Sequence, residues 1–180
     1  MTIAESRIRP LSPNVANQIA AGEVIENPAS VVKELLENAL DASATQIAID
    51  IGFGGLNQIK ISDNGIGILA DDLPLAIAPH ATSKLTQLED LSTLTSMGFR
   101  GEALASVASV SRISLSSRPA GQAHAMMLRF EGEQYVMSPC ARSQGTTVDV
   151  CDLFYNAPVR RRFLKSARSE FLAIEQVVKR

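Results

Sequence analysis

Gln46-Ile47-Ala48-Ile49-Asp50-Ile51-Gly52-Phe53-Gly54-Gly55-Leu56-Asn57-Gln58-Ile59-Lys60-Ile61-Ser62-Asp63 holds two short runs in which every second residue is isoleucine, with a glycine-rich break between them. Alternation at a period of two turns one side of a strand to a core and the other to water. Gly52-Phe53-Gly54-Gly55 supplies the turn, so the runs read as a β-hairpin with Asp63 where the second strand ends.

Helical signals flank the hairpin. Ser12-Pro13 opens one helix, which Gly22 is expected to close, and Asn27-Pro28 opens a longer one running to about Ala42. After the hairpin, Asp71-Asp72 starts a short helix that tolerates Pro74 in its first turn and ends at Pro79. Leu88, Leu91 and Leu94 mark another, and small residues from Glu102 to about Val110 a further one. Strands follow around Ile113–Leu115, Ala125–Phe130 and Thr146–Val150. The order lacks the regular alternation of a doubly wound parallel sheet. The expected fold is α+β: a two-layer sandwich with helices packed on one face of a mixed, mainly antiparallel sheet. Phe171, Ile174, Val177 and Val178 recur at helical spacing up to the last residues, a pattern expected of a piece cut from a longer chain.

The chain has 180 residues, 46% of them hydrophobic, enough for one domain with a real core. A net charge of −2 argues against a surface built mainly to coat nucleic acid. Cys140 and Cys151 make neither a metal spacing nor a disulfide framework, and no stretch is long enough to span a bilayer. The expected setting is reducing, cytoplasmic and without membrane attachment.

Four clusters carry candidate chemistry. Glu34, Asn38 and Asp41 fall at i, i+4 and i+7, on the side of a helix opposite Val31, Val32, Leu35, Leu36, Ala39 and Leu40. From spacing alone this is a solvated face, but asparagine is a mediocre helix former, and a carboxylate one turn from an amide oxygen can hold a water and a hard cation together. Asp63-Asn64-Gly65-Ile66-Gly67 follows a strand, with two glycines allowing close backbone approach and a carboxylate able to accept from an amino group. A calcium loop would need further carboxylates where Gly65, Gly67 and Leu69 stand. Gly98-Phe99-Arg100-Gly101-Glu102-Ala103-Leu104 joins a loop to a helix start, where backbone N–H groups favour anions, although it is neither a P-loop nor a dinucleotide fingerprint. Ala81-Thr82-Ser83-Lys84 reads alone as a polar loop. Arg160-Arg161-Arg162 with Lys165 and Arg168 reads as a basic helix face with Phe163 and Leu164 in the core; His80 and His124 have no partner at a catalytic spacing.

In this order, Glu34-x-x-x-Asn38, Asp63-x-Gly65-x-Gly67, the Gly98–Leu104 loop and Gly145-Thr146 resemble the four motifs of the GHKL (Bergerat) ATPases, which include gyrase B, heat-shock chaperones, histidine kinases and the MutL family of DNA mismatch repair proteins. The long block from Asn17 to Glu34, the run His80 to Lys84, Gly98 to Leu104 and Asp152 to Leu164 resemble the MutL branch. The resemblance implies a Mg²⁺-dependent ATPase with Glu34 as general base and Asn38 as both ATP-binding residue and Mg²⁺ ligand. It implies that Asp63 recognises adenine, with Gly67, Ile68 and Thr146 around the base. Thr82, Ser83 and Lys84 would belong to a lid, and Gly98, Phe99, Arg100, Gly101, Glu102, Ala103 and Leu104 would wrap the triphosphate. It also implies one ATP-binding domain over residues 1–180, with residues 1–10 a flexible arm. A transducer-type domain and a C-terminal dimerisation domain would lie outside this chain. Because the family's γ-phosphate lysine comes from that second domain, this stretch alone is expected to bind ATP weakly and hydrolyse it poorly.

The expected partners are ATP, a second copy of the protein through N-terminal domains, the mismatch-recognition protein MutS, and DNA, weakly for this stretch, near the nucleoid. A nucleotide-gated binding module in which hydrolysis only resets the state, and a chaperone or kinase of the same superfamily, are the competing readings. Three residues depart from the family's usual pattern: Pro79 for arginine, Ser43 for glycine after Asp-Ala, and Arg162 for lysine.

Overall fold

The computed structural model describes residues 9–79, 102–131 and 134–180. Its centre is helix α2 (Pro28–Asp41), which starts where the Asn27 side chain accepts from the Ser30 N–H at 3.0 Å and proline fills the first turn. Val31, Val32, Leu35 and Ala39 are buried, so the apolar stripe faces inward and the polar stripe stays accessible, but Leu40, expected on the apolar face, is exposed. At the far end, Ser43 N–H donates to the Leu40 carbonyl (2.9 Å) and Ala44 N–H to the Ala39 carbonyl (3.1 Å). That pair of bonds is a Schellman cap, and it forces Ser43 to φ +59°. A left-handed residue with a Cβ costs about 1–2 kcal/mol, part of which glycine's larger unfolded-state entropy would offset. Ser43→Gly is therefore expected to stabilise the domain by about 0.5–1 kcal/mol, read as a rise in the urea midpoint at unchanged slope.

The hairpin is β1 (Ile47–Gly52) and β2 (Gln58–Asp63), with Ile49 opposite Ile61 and Ile51 opposite Ile59. The remaining strands are β3 (Arg112–Arg118), β4 (Ala125–Glu131), β5 (Gln134–Cys140) and β6 (Gly145–Cys151). They form a six-stranded sheet in the order β1-β2-β6-β3-β4-β5. Every pairing among the described residues is antiparallel. Register lines up Ile61, Val148, Leu115 and Leu128 across four strands, and all four are buried under the helices. The other face is polar: Thr147 donates to Ser62 at 3.0 Å and Gln58 to Asp149 at 3.0 Å. A sheet buried on one side and wet on the other is the expected two-layer α+β sandwich.

Helix α1 (Pro13–Val24) packs against α4 (Ala103–Val110), and α6 (Ala167–Val178) against α2 and the turn at Phe53–Gly55. Short α3 (Leu73–Ala76) follows a 3₁₀ turn at Ala70–Asp72, and α5 (Pro158–Phe163) follows β6.

Four other expectations change. Gly22 does not close α1, which runs on to Val24; a Cβ there would collide with the Arg160 guanidinium, so the glycine is a seat for that side chain. Helix α3 stops at Ala76, short of Pro79: the proline restricts Ala78, and the helix has already ended at Ile77, with φ −104° and ψ 0°. Phe163, expected in the core, is 83% exposed, while Leu164 packs on the core instead. Strand β5 carries no inward alternation and has Pro139 within it, as an edge strand permits. The Leu88–Leu94 helix lies outside the described residues.

Candidate functional site

The polar stripe of α2 and the turn after β2 meet because the turn docks on the helix end. Ile66 N–H donates to the Ala42 carbonyl at 2.9 Å, and a Cβ on Gly65 would stand 2.6 Å from that same oxygen. Asn64 ties the neighbouring strand start, its Oδ1 accepting from Thr45 N–H (2.8 Å) and Gln46 N–H (2.9 Å). The turn thus sits on the C-terminal end of the helix whose polar stripe carries Glu34, Asn38 and Asp41. Each of these three residues is engaged in a polar or electrostatic interaction.

Asp63 is held from the opposite side by β6. Its Oδ1 accepts from Gly65 N–H at 2.8 Å and Thr146 N–H at 3.3 Å, and its carbonyl accepts from Arg142 Nη2 at 3.1 Å. Gln144 Nε2 donates to the Gly65 carbonyl at 3.2 Å. Burial lowers the Arg142 pKa from its ordinary value, and the nearby Asp63 carboxylate opposes that shift. The side chain stays cationic, since arginine is not deprotonated in proteins. Gly67, at φ +79°, lies against the end of β3, where a Cβ would stand 2.7 Å from the Arg118 carbonyl.

Ile68 N–H donates to Ser117 Oγ at 2.8 Å, and that hydroxyl also meets the Gly145 carbonyl at 2.9 Å and Thr146 Oγ1 at 2.8 Å. Asp63, Gly67, Ile68 and Thr146 are therefore brought into one knot. Glu102 precedes α4, with Ala103 and Leu104 in its first turn. Thr82, Ser83, Lys84, Gly98, Phe99, Arg100 and Gly101 lie outside the described residues.

Sequence reasoning missed Ser117, Arg142 and Gln144. Ser117 left a usable signal, because Ile113, Leu115 and Ser117 share the inward beat of β3 and a polar group there needs a partner. Arg142 and Gln144 left none, since they act from an irregular loop. Both cysteines are free, and burial and the neighbouring Asp149 push the Cys151 thiol pKa up, which favours the less reactive protonated form.

The family described as histidine kinase-, DNA gyrase B-, and HSP90-like ATPase matches residues 25–149, which contain α2, the Asp63 turn and Thr146. The chain belongs to this ATPase family. Within it the chain is of the MutL type. It is 55% identical over 175 residues to the DNA mismatch repair protein MutL of Pasteurella multocida, covering 96% of this chain and 28% of that one. It is 58% identical over 172 residues to MutL of Proteus mirabilis, covering 94% and 26%. The chain thus spans little more than a quarter of the curated relatives it matches. Among solved structures, the Aquifex aeolicus MutL ATPase domain complexed with ADP superposes with a TM-score of 0.66 at 33% identity, over 87% of this chain and 55% of that one. The N-terminal domain of a DNA repair protein gives 0.74 at 32%, over 91% and 47%. No helix among the described residues of this MutL-type domain is long and apolar enough to cross a membrane.

Proposed function

We propose that this domain binds Mg²⁺-ATP between the polar stripe of α2 and the Asp63 turn and hydrolyses it slowly, switching a longer mismatch repair protein between open and paired states. The observation that carries this reading is the docking of the Asp63 turn on the end of α2, the Ile66-to-Ala42 bond. It brings a carboxylate able to take the adenine amino group beside a helix face bearing a carboxylate and an amide. The ADP held by the Aquifex aeolicus relative supports the nucleotide class.

Each side chain then has a task. Asp63 accepts from the adenine amino group, with Gly67, Ile68 and Thr146 walling the base. Glu34 takes the proton of the attacking water. Thr82, Ser83 and Lys84 belong to the lid. Gly98 through Leu104 turn backbone amides to the phosphates, and the positive end of α4 favours that charge.

The donor chemistry fits Mg²⁺. Among the described residues no three histidine, cysteine or acidic side chains cluster as a metal cage. Mg²⁺ needs no such cage, because it keeps several waters and takes one or two protein oxygens plus phosphates. Asn38 would supply the amide oxygen, and the ion would neutralise charge developing on the transferred phosphoryl group.

Residues 1–180 make one ATP-binding domain on this reading, with residues 1–10 as an arm and with transducer-type and dimerisation domains elsewhere in the longer protein. Leu11, just ahead of α1, and Val15 and Ile19 on the helix itself are exposed, and the three suit pairing with a second copy. In the cytoplasm the paired state would pass a signal from MutS, and contact DNA weakly through this part.

Titration with ATP, with and without Mg²⁺, tests the reading. Binding should require Mg²⁺ for full affinity, and Asn38→Ala should weaken Mg²⁺-ATP at least tenfold while leaving metal-free binding nearly unchanged. Equal affinity of Asn38→Ala and the unaltered protein for Mg²⁺-ATP, by calorimetry, would remove Asn38 from the metal site.

A further inference from the structure

Ser117 is wholly buried, with 0% of its surface exposed, on the inner face of β3. A serine hydroxyl has one hydrogen and two lone pairs. Three groups surround this one at hydrogen-bond distance: the Ile68 N–H (2.8 Å), the Gly145 carbonyl (2.9 Å) and the Thr146 hydroxyl (2.8 Å). The N–H can only donate and the carbonyl can only accept. Ser117 therefore takes a bond from Ile68 and spends its single hydrogen on Gly145. The third bond then has one possible direction: Thr146 donates to Ser117. All three bonds coexist in no other arrangement.

The consequence falls on Thr146, itself 8% exposed beside Asp63. Its only hydroxyl hydrogen is committed inward, so it can offer a ligand nothing but lone pairs. Asp63 behaves alike: Oδ1 already accepts two backbone N–H groups, and its other oxygen is an acceptor too. The backbone donors nearby, Gly65, Ile68 and Thr146 N–H, are all engaged.

We propose that Ser117 is a positioning residue that sets base specificity by fixing the Thr146 hydroxyl as an acceptor, so that the floor of the pocket accepts a base bearing an exocyclic amino group and rejects one bearing an oxo group. The inference deepens the nucleotide-binding reading above and rests on it. A merely structural Ser117 would support β3 and β6 without discriminating between bases.

The probe is the pair ATP and ITP, which differ at the atom concerned, an amino group in one and an oxo group in the other. Each is titrated with Mg²⁺ against the full-length protein and its variants. The unaltered protein should prefer ATP. Ser117→Ala frees the Thr146 hydroxyl to turn and donate outward, so the ATP-to-ITP preference should narrow by about tenfold, mostly through tighter ITP binding. Equal weakening of both nucleotides, with the ratio unchanged, would overturn the proposal and leave Ser117 structural.

Thr146→Val, which keeps shape and packing, gives a sign test that holds even where Ser117→Ala fails to fold. Removing an acceptor should weaken ATP and spare ITP, narrowing the ratio; a ratio that widens or stays put would show Thr146 was not the acceptor. An unaltered protein that binds both nucleotides equally sinks the specificity claim alone. One that binds neither sinks the nucleotide reading as well.

Discussion

A Glu34→Ala variant of the full-length protein is expected to keep ATP and lose turnover, by about 10²–10⁴-fold, the usual contribution of a positioned general base. The split between binding and rate follows from where Glu34 stands. It lies one turn before Asn38 on the accessible stripe of α2, away from the Asp63 knot that would hold the base. Single-turnover hydrolysis together with equilibrium titration separates the two quantities. Turnover that survives the substitution would move the base to another residue. Repair that survives while turnover is lost would favour the nucleotide-gated module, in which occupancy carries the signal.

The second large effect is expected at Gly145. Its φ of +123° is closed to residues with a side chain, and a Cβ there would collide with the Asp63 carbonyl. Backbone strain and overpacking each cost about 1–3 kcal/mol, so Gly145→Ala should destabilise the domain by on the order of 3–5 kcal/mol. The damage should reach function before it reaches the fold as a whole. Pushing β6 away from Asp63 breaks the Thr146-to-Asp63 bond and drags the Ser117 network with it. Urea unfolding reads the first loss and nucleotide titration at low denaturant the second; a variant of native stability and native affinity would contradict both.

What the sequence made legible follows how local the cause was. The isoleucine alternation at Ile47–Ile51 and Ile59–Ile61 announced the hairpin, because a period of two is written residue by residue. The caps at Ser12 and Asn27 were readable for the same reason. Gly22 misled, since a glycine late in a helical run signals an end equally well as a place where another segment must come close; only the fold shows Arg160 arriving there. Strand β5 was hidden because an edge strand that sends only Met137 to the core needs no regular apolar beat. At the site, Asp63 and Thr146 were named by motif. Arg142 and Gln144, which grip the turn from a loop 79 residues later, have no pattern that sequence spacing could reveal.

Those distant grips make ligand affinity and folding one quantity. The bonds that fix the Asp63 turn span 83 residues to Thr146 and 79 to Arg142 and Gln144, so an unfolded chain keeps no trace of the pocket. A nucleotide that recognises only the folded form adds RT ln(1 + [L]/Kd) to stability, about 2.7 kcal/mol at a hundredfold excess over Kd. Melting temperature should therefore climb with nucleotide concentration, and resistance of the domain to proteolysis should climb with it.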